Sequence, residues 1–315
     1  LGGQVFGGRR KVRVKSESGK VGIQAAGTAK AIELQKHFRW PMMEHLAGSS
    51  TWTADINIRG RNADFVIESP LTGISASLPE PLNKAAEASW PLRIERSAPD
   101  ATREQYKVNV GNKIAQALVV RRHDGKEMRA ERSVIALGDA DLRLPEKGLA
   151  VIVAAPRFDA DSWKDLFAGE GAQGATQSDF ALSHVAIKTP KLHLLGRDFS
   201  QADLTLRPRE GGWQIALNMR EAVGDLIWRS AGEGALEGRL RRLVLRPTVE
   251  VAGGPANTLL NSLPSMTLAV DELYLGEKQL GQLDLKARND KGAWQLDTLN
   301  IKNPDGTLRS HGVWQ

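Results

Sequence analysis

Along most of the chain, apolar and polar residues alternate with a period of two. TWTADINIRG (51 to 60), ADFVIES (63 to 69), YKVNV (106 to 110), HVAIKT (184 to 189), KLHLL (191 to 195), ADLTLR (202 to 207), WQIALNM (213 to 219) and LDLKAR (283 to 288) alternate or carry β-branched runs. Successive side chains of a strand point to opposite faces, so this rhythm places one face on a core and the other in water. GRNA, PREGG, NDKG and NPDG lie between the runs and supply turn chemistry. These rules mark about twenty candidate strands. Helical patterns are few and short: TAKAIELQKHF (28 to 38), PMMEHLA (41 to 47), PEPLNKAAEA (79 to 88), DADSWKDLFAG (159 to 169) and PANTLLNSL (255 to 263) each have a cap or a Pro and an apolar face. The pattern predicts an all-β chain, mostly antiparallel sheet with helical plugs.

One stretch of this pattern is written twice. GQLDLKARNDKGAWQL (281 to 296) shares Gln, Asp-Leu, Arg, Gly and Trp-Gln with QADLTLRPREGGWQI (201 to 215) at an offset of 81 residues. Asp203-Leu204 and Asp284-Leu285 open a strand, Arg207 and Arg288 close it, Gly211 and Gly292 sit in a turn, and Trp213 and Trp294 open the return strand. The spacing predicts a duplicated hairpin. Ile215, Leu217 and Met219 follow Trp213 at period two, and Leu296 follows Trp294, so indole and aliphatic side chains share a face. Gly224-Asp-Leu226 answers Gly306-Thr-Leu308 at an offset of 82. The two tryptophans read either as core plugs of the hairpin or as the lining of a surface for apolar ligands.

Composition narrows the chemistry. With no cysteine in 315 residues there is no disulfide framework, no thiolate zinc site and no cysteine nucleophile. The longest apolar run, LAVIVAA (149 to 155), is far short of the roughly 20 residues that span a bilayer. The chain opens on Leu with no basic-then-apolar leader, so an internal or C-terminal portion of a longer protein is expected. The net charge of +6 invites a nucleic-acid reading. In RRKVRVK (9 to 15) and RLRRLVLR (239 to 246), however, the basic residues largely alternate with Val or Leu, which marks solvated strand faces. No helix-turn-helix, zinc-finger or RNA-stacking pattern accompanies them. Attraction to anionic lipid headgroups is the other use such a face allows.

Catalytic and metal constellations do not assemble. GEGAQG (169 to 174) matches a dinucleotide fingerprint by letters, but no strand feeds it. Asp159, Asp161, Asp165 and Glu170 have the rhythm of a calcium loop, yet Lys164 stands where the loop needs Gly, so helix capping by Asp159 or Asp161 explains them better. His37, His45, His123, His184, His193 and His311 form no paired metal spacing, and GISAS (73 to 77) misses the last glycine of a nucleophile elbow. No enzyme, cofactor or metal is expected.

SPLTGISASLPEPLNKAAEASWPLRIE (69 to 95) is more specific. It resembles a signature of the YhdP branch of the AsmA-like proteins (AsmA, TamB, YhdP) of Gram-negative envelopes, carried by Ser69, Leu71, Gly73, Leu78, Pro79, Pro81, Lys84, Ala85, Pro91 and Leu92. LAGSSTWTADINI (46 to 58) is similar to that family's entry into a strand, and VDELYLGEKQLGQLDLKARNDKGAWQLDTL (270 to 299) to its closing repeat. The resemblance implies an elongated, curved antiparallel sheet that forms an open hydrophobic groove with a few short helices. It implies two groove segments, 1 to 172 and 173 to 315, the second holding the repeat. The implied function is non-enzymatic, bridge-like transport of phospholipid between inner and outer membranes across the periplasm, which maintains the outer-membrane permeability barrier. The acyl chains would be the partners, nucleic acid would not, and an anchor to the inner membrane would lie outside this sequence. Leu204, Leu206, Trp213, Ile215, Leu217, Leu283, Leu285, Trp294 and Leu296 are the candidate groove residues. The alternatives are a periplasmic β scaffold with no lipid in its groove and a basic adaptor that docks on polyanions or membranes.

Overall fold

The alternating runs fold into strands in a computed structural model that describes residues 4–5, 8–17, 20–38, 41–60, 62–100, 102–123, 125, 127–168, 181–246, 264–290 and 293–314. The chain divides into two compact units, Leu1–Ser183 with Leu192–Asp198, and His184–Lys191 with Phe199–Gln315.

The first unit holds β1 (Gln4–Val5), β2 (Gly8–Glu17), β3 (Lys20–Lys30), β4 (Leu46–Arg59), β5 (Asn62–Ser69), β6 (Ile74–Ala76), β7 (Leu92–Asp100), β8 (Arg103–Val110), β9 (Ala115–His123), β10 (Met128–Gly138), β11 (Gly148–Ala154) and β12 (Arg157–Asp159). Antiparallel pairing runs β1-β2-β3-β4-β5-β7-β8-β9-β10. β11 then joins β10 in parallel, and β6 pairs with the start of β4. After β13 (Leu182–Leu194), the second unit contains β14 (Arg197–Arg209), β15 (Gly212–Asn218), β16 (Ala222–Arg229), β17 (Ala235–Leu245), β18 (Ser265–Leu275), β19 (Lys278–Asp290), β20 (Ala293–Asn303) and β21 (Gly306–Trp314). β14 to β21 pair in chain order, antiparallel except for β17 with β18.

The all-β expectation holds, with differences in detail. The pairs β10–β11 and β17–β18 are parallel, which requires each connection to return to the end where the previous strand began. A tight turn cannot do this. Strand β3 runs through Lys30, so α1 (Ala31–His37) is shorter than the predicted helix, and Pro41–His45 forms a single 3-10 turn. Helix α2 (Ala160–Ala168) forms as expected, with the Asp159 carboxylate accepting from the Ser162 backbone N–H (3.0 Å) and hydroxyl (2.8 Å). GEGAQG, PANTLLNSL, Glu170 and Gly292 lie outside the described residues.

No helix forms over residues 79 to 88. Two prolines remove amide donors there, and Lys84 exchanges both backbone hydrogen bonds with Ala76 across an antiparallel bridge. This segment instead wraps around the Lys84 side chain, which is 5% exposed. Its ammonium donates to the carbonyls of Leu71 (2.8 Å), Ile74 (2.7 Å) and Ala85 (3.1 Å) and lies 6.0 Å from the centre of the Trp90 ring. Burial pushes its pKa down, with the Glu87 charge opposing. Gly73 permits the fold: its φ is +91°, and a Cβ there would sit 2.4 Å from the Ser49 carbonyl oxygen. Helix α2 seats on the same segment through Trp163, whose indole N–H donates to the Glu80 carbonyl (3.0 Å) while its ring stacks with Phe158 and Phe167. The family-like signature at 69 to 95 is therefore a knot of backbone carbonyls around one ammonium.

A second tie joins α2 to the turn after β13. The Asp161 carboxylate accepts from the backbone N–H groups of Gly196 (2.7 Å) and Leu195 (2.9 Å), and these bonds hold its pKa below the usual range. His193 Nδ1 lies 2.7 Å from Asp198 and Nε2 lies 3.7 Å from Asp161. The hydrogen bond to Asp198, reinforced by the charges of Asp159, Asp198 and Asp161, raises the imidazole pKa against a smaller desolvation effect.

Two outcomes follow. Lys84→Met strands three carbonyls and is expected to destabilise the protein by about 3 kcal/mol, read as a lower urea midpoint, whereas Lys107→Met on an exposed site leaves the midpoint unchanged. For His193 the folded state favours the charged ring, so its contribution is complete below the ordinary value near 6.5 and is lost as pH rises through the elevated value. His193→Gln should therefore flatten the decline in thermal stability that the parent protein shows above about pH 6.5. An unchanged slope would assign the decline to another group.

Candidate functional site

In the second unit, the register lines up apolar side chains across eight strands. The first row runs Leu204, Leu217, Gly224, Leu240, Val270, Leu283, Ile301 and Leu308, each directly opposite the next from β14 to β21. The second runs Leu206, Ile215, Leu226, Gly238, Leu268, Leu285, Leu299 and Ser310, and the third Pro208, Trp213, Trp228, Leu236, Met266, Ala287, Leu296 and Gly312. Because side chains alternate along each strand, all three rows lie on one face. The opposite face is polar, with Arg239 bound to Asp271, Arg229 to Glu237 and Arg288 to Asp297.

Every described element of this unit is a strand, so its apolar face carries no helical layer among the described residues. A flat single layer would leave that face wet. Instead Leu204 and Leu240 are 3% exposed and Val270 is 2% exposed, which requires the sheet to bend toward them. Glycines allow the bend. A Cβ on Gly224 would lie 2.3 Å from the Arg239 carbonyl oxygen, and one on Gly238 would lie 2.2 Å from that of Asp225, so β16 and β17 close together where these two rows have no side chain. The first row is thereby dry at its centre, while Leu206, Ile215, Leu268, Leu285 and Leu299 of the second stay half-buried. Glu221 anchors one end: its buried carboxylate accepts from the Ser200 backbone N–H (2.9 Å) and pairs with Arg246 (2.7 Å).

Of the candidate groove residues, Leu204, Leu206, Trp213, Ile215, Leu217, Leu283, Leu285 and Leu296 all fall on this one face. Trp294 takes its place on β20, paired with Asn289 and Trp314 in the backbone ladder; its side chain lies outside the described residues. The duplicated segments both form hairpins. Leu204 and Leu206 correspond to Leu285 and Ala287 at the offset of 81, and Ile215 to Leu296. Leu217 corresponds to Leu299 at an offset of 82, because a bulge at Asp297 adds one residue to β20. Arg288 holds that bulge through two hydrogen bonds to the Asp297 carboxylate (2.7 and 2.8 Å), which keep its pKa low. The further match of Gly224 with Gly306 is one of letters only. Gly224 stands opposite Leu217 within a strand, and Gly306 stands opposite Asn303 at a turn.

Residues of the face that the repeat did not reveal include Leu236, Leu240, Leu268 and Val270. Their alternation in ALEGRLRRLVL and SMTLAV was readable, but the parallel pairing that aligns them was not. The first unit has its own row, made of residues not named among the candidates: Val12, Ala25, Ala54, Ile67, Ile94, Val108, Ala117, Ile135 and Val151, from β2 to β11. No helix among the described residues is long and apolar enough to cross a membrane.

Such rows suit an apolar ligand or a packed core. No curated protein and no solved structure matches the chain. A family described as the YhdP protein matches residues 1–315, in keeping with the signature that Lys84 organises. The chain belongs to the YhdP family.

Proposed function

We propose that this chain carries phospholipid acyl chains along its apolar rows, as part of a bridge between the inner and outer membranes of a Gram-negative envelope, without catalysing a reaction. Membership of the YhdP family supports the reading, and the observation that carries it is the continuity of the rows across eight strands of the second unit. A sixteen-carbon chain in water costs about 13 kcal/mol at roughly 0.8 kcal/mol per methylene. A continuous apolar face removes most of that cost with no polar site. At about 4.8 Å per strand the rows extend roughly 34 Å, more than the roughly 15 Å reach of one leaflet's chains. The inner-membrane anchor of the bridge is assigned to a segment outside this sequence, and the work is assigned to the periplasm.

A scaffold reading has one observation in its favour: Leu240, Val270 and Leu273 are already buried by the protein's own side chains. Benzoylphenylalanine placed at Ile215 or Leu285, both half-buried, separates the two. On irradiation in cells these positions are expected to capture phospholipid, and Asp203 and Arg207 on the other face are not. Equal capture from both faces, or none from either, would leave the scaffold. Leu285→Lys is expected to lower lipid retention about tenfold, the scale of one charged group placed in an apolar contact, with circular dichroism unchanged.

A further inference from the structure

The apolar face of the first unit is interrupted at one rim. Along β7, β8 and β9 the row Ile94, Val108, Ala117 is followed on the same face by Arg96, Tyr106 and Val119, and then by Glu104 opposite Arg121. Arg96 stands between Phe65 and Tyr106 in the ladder, where a purely apolar face would place an aliphatic residue. Its side chain is 15% exposed, that of Glu104 is 17% and that of Arg121 is 37%. Arg96 donates to Glu104 (2.5 Å), to the Tyr106 hydroxyl (3.2 Å) and to the Ala63 carbonyl, with its guanidinium over the Tyr106 ring. Tyr106 donates to Glu104 (3.1 Å), and Arg121 lies 3.5 Å from Glu104 while donating to the Met128 carbonyl (2.7 Å).

The cluster sets two guanidiniums against one carboxylate beside an oily surface. Water screens such an excess poorly where apolar groups surround it. A guanidinium carries five N–H donors in a planar fork, and Arg121 spends few of them within the protein. We propose that the Arg96–Glu104–Arg121 cluster takes the phosphodiester of an anionic phospholipid at the rim of the face, with Arg121 as the direct contact and the acyl chains on the adjoining row. Arg96 holds Glu104 and Tyr106 in place and is a positioning residue. The amphipathic order of the site, charge at the strand ends and aliphatics inward, matches the order of a lipid. This inference rests on the reading that the face carries acyl chains, and it adds a headgroup preference to it.

Native mass spectrometry of the 315-residue chain, incubated with detergent-solubilised dioleoylphosphatidylglycerol or dioleoylglycerol, tests both layers separately. The parent chain is expected to retain both and to prefer the phospholipid about tenfold, the scale of one charge-assisted hydrogen bond. Arg121→Gln should abolish the preference while leaving dioleoylglycerol retention unchanged. Glu104→Gln, which removes the competing carboxylate, should increase it, whereas a merely structural role would lower retention of both lipids. Soluble glycerophosphoglycerol, the same diester without chains, should compete weakly; full displacement by it would make the cluster a soluble-anion site and overturn the proposal. Retention of both lipids without preference overturns the headgroup assignment alone. Retention of neither overturns it together with the acyl-chain reading.

Discussion

A strand shows only every second side chain to a given face, and a neighbouring strand continues that face only if its register agrees. This parity is the constraint on which the molecule depends. In the second unit it is kept through seven successive pairings, one of them parallel, so that leucines far apart in sequence stand side by side. Shifting any one pairing by a single residue would send an entire strand's aliphatics into water and bring its charges inward. Each buried leucine contributes about 2 kcal/mol, so a slip across several of them exceeds the net stability of most domains.

Among the described residues, the two buried charged side chains are each received by backbone groups. Lys84 is ringed by three carbonyls, and Glu221 is met by a backbone N–H and an arginine. Both close irregular segments, where the chain leaves the ladder and its polar groups would otherwise lack partners. The rim cluster around Glu104 differs, since it stands on regular strands beside aliphatic side chains and keeps part of a guanidinium in solvent. Position, more than charge, distinguishes a group that ties the fold from one left open at a rim.

Much of this was legible in the amino acids, and for a definite reason. The period of two is a property of each strand alone, so ADLTLR and LDLKAR disclosed the face on which Leu204 and Leu285 stand. The tight turns at Gly211 and Asn303 were equally local: two-residue loops with Gly at positive φ or an Asn side chain accepting backbone N–H groups. What stayed hidden was non-local. Nothing in ALEGRLRRLVL states that its partner is SMTLAV running in the same direction. The helix expected over 79 to 88 failed because the bridge between Ala76 and Lys84 and the three carbonyl contacts of one ammonium outweigh a weak local preference. Arg96 and Arg121 stand in no motif, and only the ladder shows that they adjoin an aliphatic row.

The extra residue at Asp297 has a consequence for how such a chain can change over time. An insertion of one residue in a strand reverses the facing of everything after it, which for a sheet with one oily side is ruinous. By looping that residue out, and clasping it with Arg288, the second hairpin changes its numbering while Leu299 still faces the way Leu217 does. Copies of the unit are thus free to gain or lose single residues in mid-strand. Kinship among them is then better traced by which side each aliphatic occupies than by any constant spacing.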